Sequence, residues 1–234
     1  MSVDDIIKQV RLSIDESVEN GAGNDEGLTD GTNILTTDSG QLDDIIKAKI
    51  GDALRWICQY APAELLSNTE TSAAGSIDLI VEETNKTVDT NTNLLTPAST
   101  LLKVVRVKGS KWKRAILGDS LIKEDSDEYL QVSDTNGAEA TDDRPQATLI
   151  NTKQKKVEVW PATGNTFTLT YAKALSATDL GALATTTTVV NVPVLVETSF
   201  IYYLAYLVLT AYGDSRRANM LEVAMQNLGK SQKQ

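Results

Sequence analysis

The 234 residues are 41% hydrophobic and 23% charged, enough apolar material for a packed core and too much for a wholly disordered chain. Histidine is absent and Cys58 is the only cysteine, which excludes Ser-His-acid triads, Cys-His dyads, HExxH sites, histidine-containing zinc fingers and intrachain disulfides. The net charge of −10 is unevenly spread, with 27 acids against 14 bases in residues 1–150 and 5 against 8 in residues 151–234, so any contact with nucleic acid is expected to be local.

The opening MSVDDIIKQV carries acids where an export signal carries bases, which predicts folding in a cytoplasm. Ile6, Ile7, Val10, Ile14 and Val18 recur at spacings of three and four and predict a first helix over residues 4–18, with Asp4 and Asp5 favourably placed in its first turn. Residues 20–39 contain GAGN, DEG and TTDSG with almost nothing apolar, and read as a long loop. A second helix is expected over 43–66 through Ile46, Ile50, Leu54, Ile57 and Leu65, kinked or ended near Tyr60 by Pro62. Cys58 lies on it beside Ile57 and reads as a small buried side chain rather than a reactive thiol.

From Ser76 to Tyr171 short β-like runs alternate with turn residues: SIDLIVEE, TLLKVVRVKG, EYLQV, ATLI, KVEVWPA and TFTLTY. Asn136-Gly137 and Thr163-Gly164-Asn165 read as hairpin turns, the second joining KVEVW to TFTLTY. Residues 176–192 read as a linker with one edge strand at most. After Pro193 two helices follow, broken near Gly213-Asp214, and the first is apolar on all sides. A membrane span is disfavoured for Val194 to Tyr212 because it contains Glu197, four tyrosines and several hydroxyls and has no basic anchor before it. An apolar helix in water must be covered on every side, so Phe200, Tyr203 and Leu207 are candidates for a subunit interface. The expected fold is α+β, with N- and C-terminal helices forming one helical bundle around a central antiparallel β region. Its segments are 1–72 (helices and the loop 20–39), 73–192 (β-rich) and 193–234 (the closing helices).

No catalytic, cofactor or metal constellation is read. The adjacent acid pairs point to different faces, the oxygen-rich segment 134–144 lacks the order of an EF-hand loop, Ser120 and Lys123 are wrongly spaced for SxxK, and there is no P-loop or GxGxxG. One patch stands out: Lys103, Arg106, Lys108, Lys111, Lys113 and Arg114, six bases with no acid between Pro97 and Leu117 and with Trp112 among them. Three readings fit it: lysines guarding a hairpin edge, phosphate contact with DNA, and docking onto an acidic partner.

The phrases SVDDIIKQVRLSID, QLDDIIKAKIGDALRWICQYAPAELL, LLTPASTLLKVVRVKG, VEVWPATGNTFTLTYAKAL and VPVLVETSFIYYLAYLVLTAYGDSRRANMLEVAMQNL, in this order, span most of the chain. In this arrangement the sequence resembles the head-to-tail connector, or adaptor, proteins of tailed bacteriophages. It departs from them in the longer loop 20–39. The resemblance implies a non-enzymatic virion protein of the neck, assembled in the host cytoplasm as a closed homo-oligomeric ring of about twelve copies. Such a ring docks on the portal protein, extends the DNA channel with transient DNA contact, and offers a platform to tail or further neck proteins, without a membrane or a cofactor. Two other classes compete. A β-rich carbohydrate-binding or adhesion module would expose an aromatic platform, for which Trp112 and Trp160 are the candidates; a glycosidase working with acids alone needs two carboxylates about 5–10 Å apart in one cleft.

Overall fold

The computed structural model describes residues 1–19, 39–67, 75–89, 92–134, 139–151 and 155–229. In chain order the elements are α1 (Val3–Glu19), α2 (Ser39–Tyr60), α3 (Ala63–Leu66), β1 (Ile77–Asp78), β2 (Ile80–Lys86), β3 (Leu94–Leu95), β4 (Leu101–Gly109), β5 (Ile116–Leu117), β6 (Ile122–Lys123), α4 (Asp127–Asp134), β7 (Gln146–Ile150), β8 (Lys156–Trp160), β9 (Phe167–Lys173), α5 (Ala177–Ala182), β10 (Val190–Asn191), α6 (Glu197–Tyr212) and α7 (Arg217–Asn227). The chain is thus of mixed α and β structure, the α+β class expected. Contacts divide it into two units: a helical one of Met1–Tyr60, Glu70–Asp78 and Leu175–Gln234, and a β one of Ala61–Thr69 and Leu79–Ala174. Residues 175–192 thus group with the helices. The expected loop 20–39, except for Ser39 in α2, and the Asn136-Gly137 turn lie outside the described residues.

In the helical unit the apolar stripes read from the sequence become the core. Ile6, Val10 and Ile14 of α1 and Leu42, Ile46, Ile50, Leu54 and Ile57 of α2 are fully buried. The start of α1 is fixed by a capping box, in which Ser2 Oγ accepts from the Asp5 amide (3.1 Å) and the Asp5 carboxylate accepts from the Ser2 amide (3.2 Å). Arg11 donates to Asp43 through both Nε (2.9 Å) and Nη2 (2.6 Å), tying α1 to α2. Helix α2 stops at Tyr60, as Pro62 demands, and Leu66 belongs instead to the short α3. Helix α6 packs on α1, α2 and α7, and its end is closed by Gly213 in the left-handed conformation (φ 71°) with the Asp214 amide donating to the Leu209 carbonyl (2.9 Å).

Residues 176–192 are more ordered than the expected linker. Ser176 and Asp179 form a second capping box that starts α5, a signal present in the sequence as S-x-x-D. Strand β10 then pairs in parallel with β1, and the chain start joins it: the Val190 amide donates to the Met1 carbonyl (2.8 Å) and the Val3 amide to the Thr188 carbonyl (2.9 Å).

The β unit is built from two four-stranded sheets, of order β2-β9-β4-β5 and β3-β8-β7-β6. Val104, Val107, Phe167, Leu169 and Tyr171 from the first and Leu95, Ala147, Val157 and Val159 from the second make one buried cluster. This corrects the expected hairpin at 163–165. The turn is real, with Gly164 at φ 69° and the Asn165 amide donating to the Ala162 carbonyl (3.1 Å), but β8 and β9 belong to different sheets and face each other across the core. Alternation over KVEVW and TFTLTY fits either arrangement, and Pro161, with no N–H to give a ladder, favours the separation.

EYLQV is likewise helix, not strand. Ser126 Oγ accepts from the Tyr129 amide (3.2 Å), Asp127 and Glu128 occupy the first turn, and Tyr129 and Val132, three apart, pack on Trp160. Helix capping and a buried aromatic outweigh a weak β-like composition.

Tyr171, fully buried, anchors a polar tie to the middle of β2. Its Oη donates to Glu83 Oε1 (2.6 Å) and accepts from the Ser99 amide (3.1 Å), while Glu83 also accepts from the Ala98 amide (2.8 Å) and meets Lys86 Nζ at 2.7 Å. Burial opposes charge on Glu83, but the bonds from Lys86, Tyr171 and Ala98 together outweigh it and hold the carboxyl below its ordinary value of 4.5. A depressed carboxyl stabilises the fold above its unfolded value and loses that contribution as pH falls through its folded value. Urea unfolding should accordingly show Glu83→Gln destabilised by about 1–2 kcal/mol at pH 7 and by a smaller margin at pH 3; a deficit that is the same at both values would show that the charge is not what matters.

Candidate interaction surfaces

The six bases of the patch are divided by their surroundings. Trp112 holds the turn between β4 and β5 in place: it is 2% exposed, meets Phe167 edge-on (centroids 5.4 Å apart) and donates from Nε1 to the Pro161 carbonyl (3.2 Å). Gly109 lets the ring close over the strand end, since a Cβ there would lie 2.8 Å from the indole. Asn165 Oδ1 accepts from the Lys111 amide (2.9 Å), so the 161–165 turn and the basic turn brace one another.

Lys103 is an internal tie. Its ammonium pairs with Asp119 Oδ1 (2.9 Å) and donates to the Ala61 carbonyl (2.7 Å), and Asp119 Oδ2 accepts from the Ala63 amide (2.6 Å), which fastens α3 to β4. Lys108 donates to the Trp112 carbonyl. Lys113 pairs with Asp143 at 2.6 Å, but both are exposed, so water and salt screen the pair. Among the described residues, the side chains of Arg106, Lys111 and Arg114 are exposed and hold no ion pair. Arg106 projects from the outer face of β4 opposite Thr170, and Lys111 lies over the Gly164 turn. The edge-guarding reading does not extend to β4, which β9 flanks on one side and β5, at Arg106 and Val107, on the other.

On the helical unit the second surface is aromatic. Trp56 stacks on Tyr203 with centroids 3.9 Å apart and planes at 5°, Tyr60 lies 5.7 Å from Trp56, and Tyr206 lies 5.4 Å from Tyr203. Tyr60 is 48% exposed, and Trp56, Tyr203, Tyr206 and Leu207 are half-buried. Burial first, then the neighbouring Tyr206, Tyr60 and Asp52, push the Tyr203 hydroxyl above its ordinary range, which keeps it neutral. Of the three residues put forward as an interface, Tyr203 and Leu207 sit on this open side. Phe200 is fully buried within its own unit and is a core residue. The row was hidden in the sequence because its members come from two helices far apart in the chain.

Trp160, like Trp112, is buried, so neither offers the exposed platform of a sugar-binding module. Cys58 is buried and its thiol is pushed up to about 12 by desolvation, which leaves it protonated and unreactive. Val194–Tyr212 is long and apolar enough to cross a membrane by length and composition (mean hydropathy 1.6), and in this fold it is the helix on which α1, α2 and α7 pack.

Two variants separate the roles of the bases. Lys103→Met, which strands Asp119 and the Ala61 carbonyl, should cost about 1–3 kcal/mol in urea unfolding. Arg106→Glu with Lys111→Glu and Arg114→Glu should leave stability within about 0.5 kcal/mol and, if the patch meets phosphate, lower the slope of log affinity against log salt for duplex DNA by about 0.9 per lost contact. An unchanged slope in the triple variant would remove DNA from the account of this surface.

No family model matches the chain, and no curated protein matches it.

Proposed function

We propose that the chain is a structural, non-enzymatic subunit of a tailed-phage neck, a head-to-tail connector that assembles into a closed ring beneath the portal, extends the DNA channel and receives tail proteins. The observation that carries this reading is α6. It is apolar nearly all round, α1, α2 and α7 pack on one side of it, and its half-buried side carries Tyr203 and Tyr206, with Trp56 of α2 stacked on Tyr203. A half-buried aromatic row on a helix of this kind suits a neighbouring protein surface, because rigid rings give large contact area for little lost entropy. A closed ring uses two unlike faces of each subunit, and this row would be one of them.

The resemblance of the sequence to connector proteins supports the same conclusion. In this reading the N- and C-terminal helices act as one helical bundle that forms the wall of the ring, and the β unit carries the contacts to portal, tail proteins or passing DNA through Arg106, Lys111 and Arg114. Assembly takes place in the host cytoplasm and the finished protein resides in the virion neck. The rival β-rich binding or adhesion module is less well supported, since both tryptophans that it needs on the surface are buried.

The test is to label purified particles with an antibody to this chain and image them. Label at a single site between head and tail is expected; label on the shell or the fibres, or none at all, overturns the proposal. A variant series adds a prediction about the aromatic row. Tyr206→Asp and Leu207→Asp should keep a native circular dichroism spectrum and lose the ring mass in native mass spectrometry, whereas Phe200→Asp should fail to fold. Rings that survive both surface substitutions would move the interface elsewhere.

A further inference from the structure

Helix α4 closes over a face of the second sheet that is polar where a covered face is normally apolar. Strand alternation puts Gln146 and Thr148 of β7 and Glu158 and Trp160 of β8 on this face, away from the buried cluster to which Ala147, Val157 and Val159 contribute on the other. The helix is held down by little. Tyr129 and Val132 pack on Trp160 together with Ala140 and Ile122, a cluster separate from the main core of the unit, and Tyr129 Oη donates to Glu158 Oε2 (3.1 Å). Leu130, between them in sequence, is 55% exposed and adds nothing to the hold. Eight residues are too few for a helix to persist in water without packing, so α4 lasts as a helix only while it is docked.

What lies beneath opposes docking. Thr148 is fully buried and its Oγ1 has no hydrogen-bond partner among the described residues; Trp160 is 1% exposed and its Nε1 has none, nor has Gln146 Oε1, on the residue directly across the ladder from Trp160. Such groups regain hydrogen bonds when water reaches them, so each one left bare lowers the stability of the closed form against the open one. Trp112 supplies the contrast. It is buried to the same degree, 2% exposed, but its Nε1 donates to the Pro161 carbonyl (3.2 Å) and its ring meets Phe167 in the main core. The segment before α4 is fixed independently of the helix, since the Asn151 amide just past β7 donates to Glu124 Oε2 (2.8 Å) and the Ser126 amide to the Lys123 carbonyl (3.0 Å).

We propose that α4 is a lid that opens locally about its fixed N-terminal end while both sheets stay folded, and that its opening uncovers the strand face of Gln146, Thr148, Glu158 and Trp160. Local opening takes place where little apolar surface is lost and buried polar groups gain water, and α4 meets both conditions. The sheets do not follow, because their shared cluster lies on the opposite side of β7 and β8 and their ladders do not involve α4. The open form presents an indole beside unpaired hydrogen-bonding groups; the closed form hides Trp160 and Thr148 from any partner of the β unit. The device belongs to the β unit alone and stands whether or not the chain is a neck protein.

Hydrogen exchange of the two buried indoles tests this in the intact protein, read by NMR with the tryptophan side-chain signals assigned. Trp160 Nε1–H should exchange about 100-fold or more faster than Trp112 Nε1–H, and low urea should change its rate little, as it should the rates of the α4 amides, because the opening exposes a small area. Trp112 Nε1–H and the amides of β4 and β9 should instead exchange through unfolding of the unit, with a steep dependence on urea. Thr148→Val, which removes one bare hydroxyl at nearly constant volume, should slow exchange at Trp160 and in α4 by about tenfold, the reverse of what substitution at a buried position usually does. Equal protection of the two indoles overturns the proposal. So does faster or unchanged exchange in Thr148→Val, which is the behaviour of a hydroxyl that an enclosed water already satisfies.

Discussion

The structure of the helical unit follows from one requirement, that α6 be kept from water. The side of the helix with Phe200, Ile201, Leu204, Ala205, Val208 and Leu209 is buried, and the rest of the unit supplies the cover. Helix α2 gives it Trp56, whose parallel stack on Tyr203 adds about 0.5–1.5 kcal/mol beyond its area. Helix α1 packs against it and is in turn fastened to α2 by Arg11 and Asp43. Helix α7 follows within a few residues because Gly213 takes the left-handed conformation that ends α6 without strain. What this cover leaves over is a row of half-buried rings with tyrosine hydroxyls.

Much of this could be read from the sequence because helical periodicity is local. The stripes of α1 and α2, the stop at Pro62 and the break at Gly213-Asp214 each depend on residues within a turn or two of one another. What could not be read depends on partners distant in the chain. KVEVW and TFTLTY show the same alternation whether they pair in one sheet or face each other from two, and only the second sheet's other strands decide. EYLQV misled through its composition, although Ser126 and the acids after it were visible as a cap. Ser176 and Asp179 spell an equally legible cap, which the run of threonines after it disguises as linker. The candidate sites divide in the same way: Tyr203 and Leu207 are candidates by periodicity alone, whereas Trp56 and Tyr60 join them only through packing.

The basic patch shows why charge counting alone overstates a binding surface. Six bases in a row of sequence become three roles in space. Lys103 and Lys108 spend their donors on backbone carbonyls, and Lys103 adds the Asp119 pair that holds α3. Gly118 is part of the same construction, since a Cβ there would lie 1.8 Å from the Val104 carbonyl oxygen, and the close approach brings Asp119 within reach. Lys113 has an exposed and screened partner. Among the described residues Arg106, Lys111 and Arg114 hold no ion pair, and Trp112, buried against Phe167 and Gly109, holds the turn in place. The exposed and unpaired part of the patch is therefore smaller than the sequence suggested, three bases instead of six.

Glu83 and Glu158 carry this logic into the interior of the β unit. Both are half-buried glutamates on strands, each accepts a hydrogen bond from a tyrosine on a neighbouring element, and in both desolvation is the largest influence and raises the carboxyl. The outcomes are opposite because of what else is near. Glu83 has an ammonium at 2.7 Å and a backbone amide at 2.8 Å, which repay the lost water and leave a structural ion pair. Glu158 has a second acid in its field and, beside it, a threonine hydroxyl with nothing to bind. The same desolvation thus ends in opposite shifts according to whether the chain places a cation beside the half-buried carboxyl, as Lys86 stands beside Glu83.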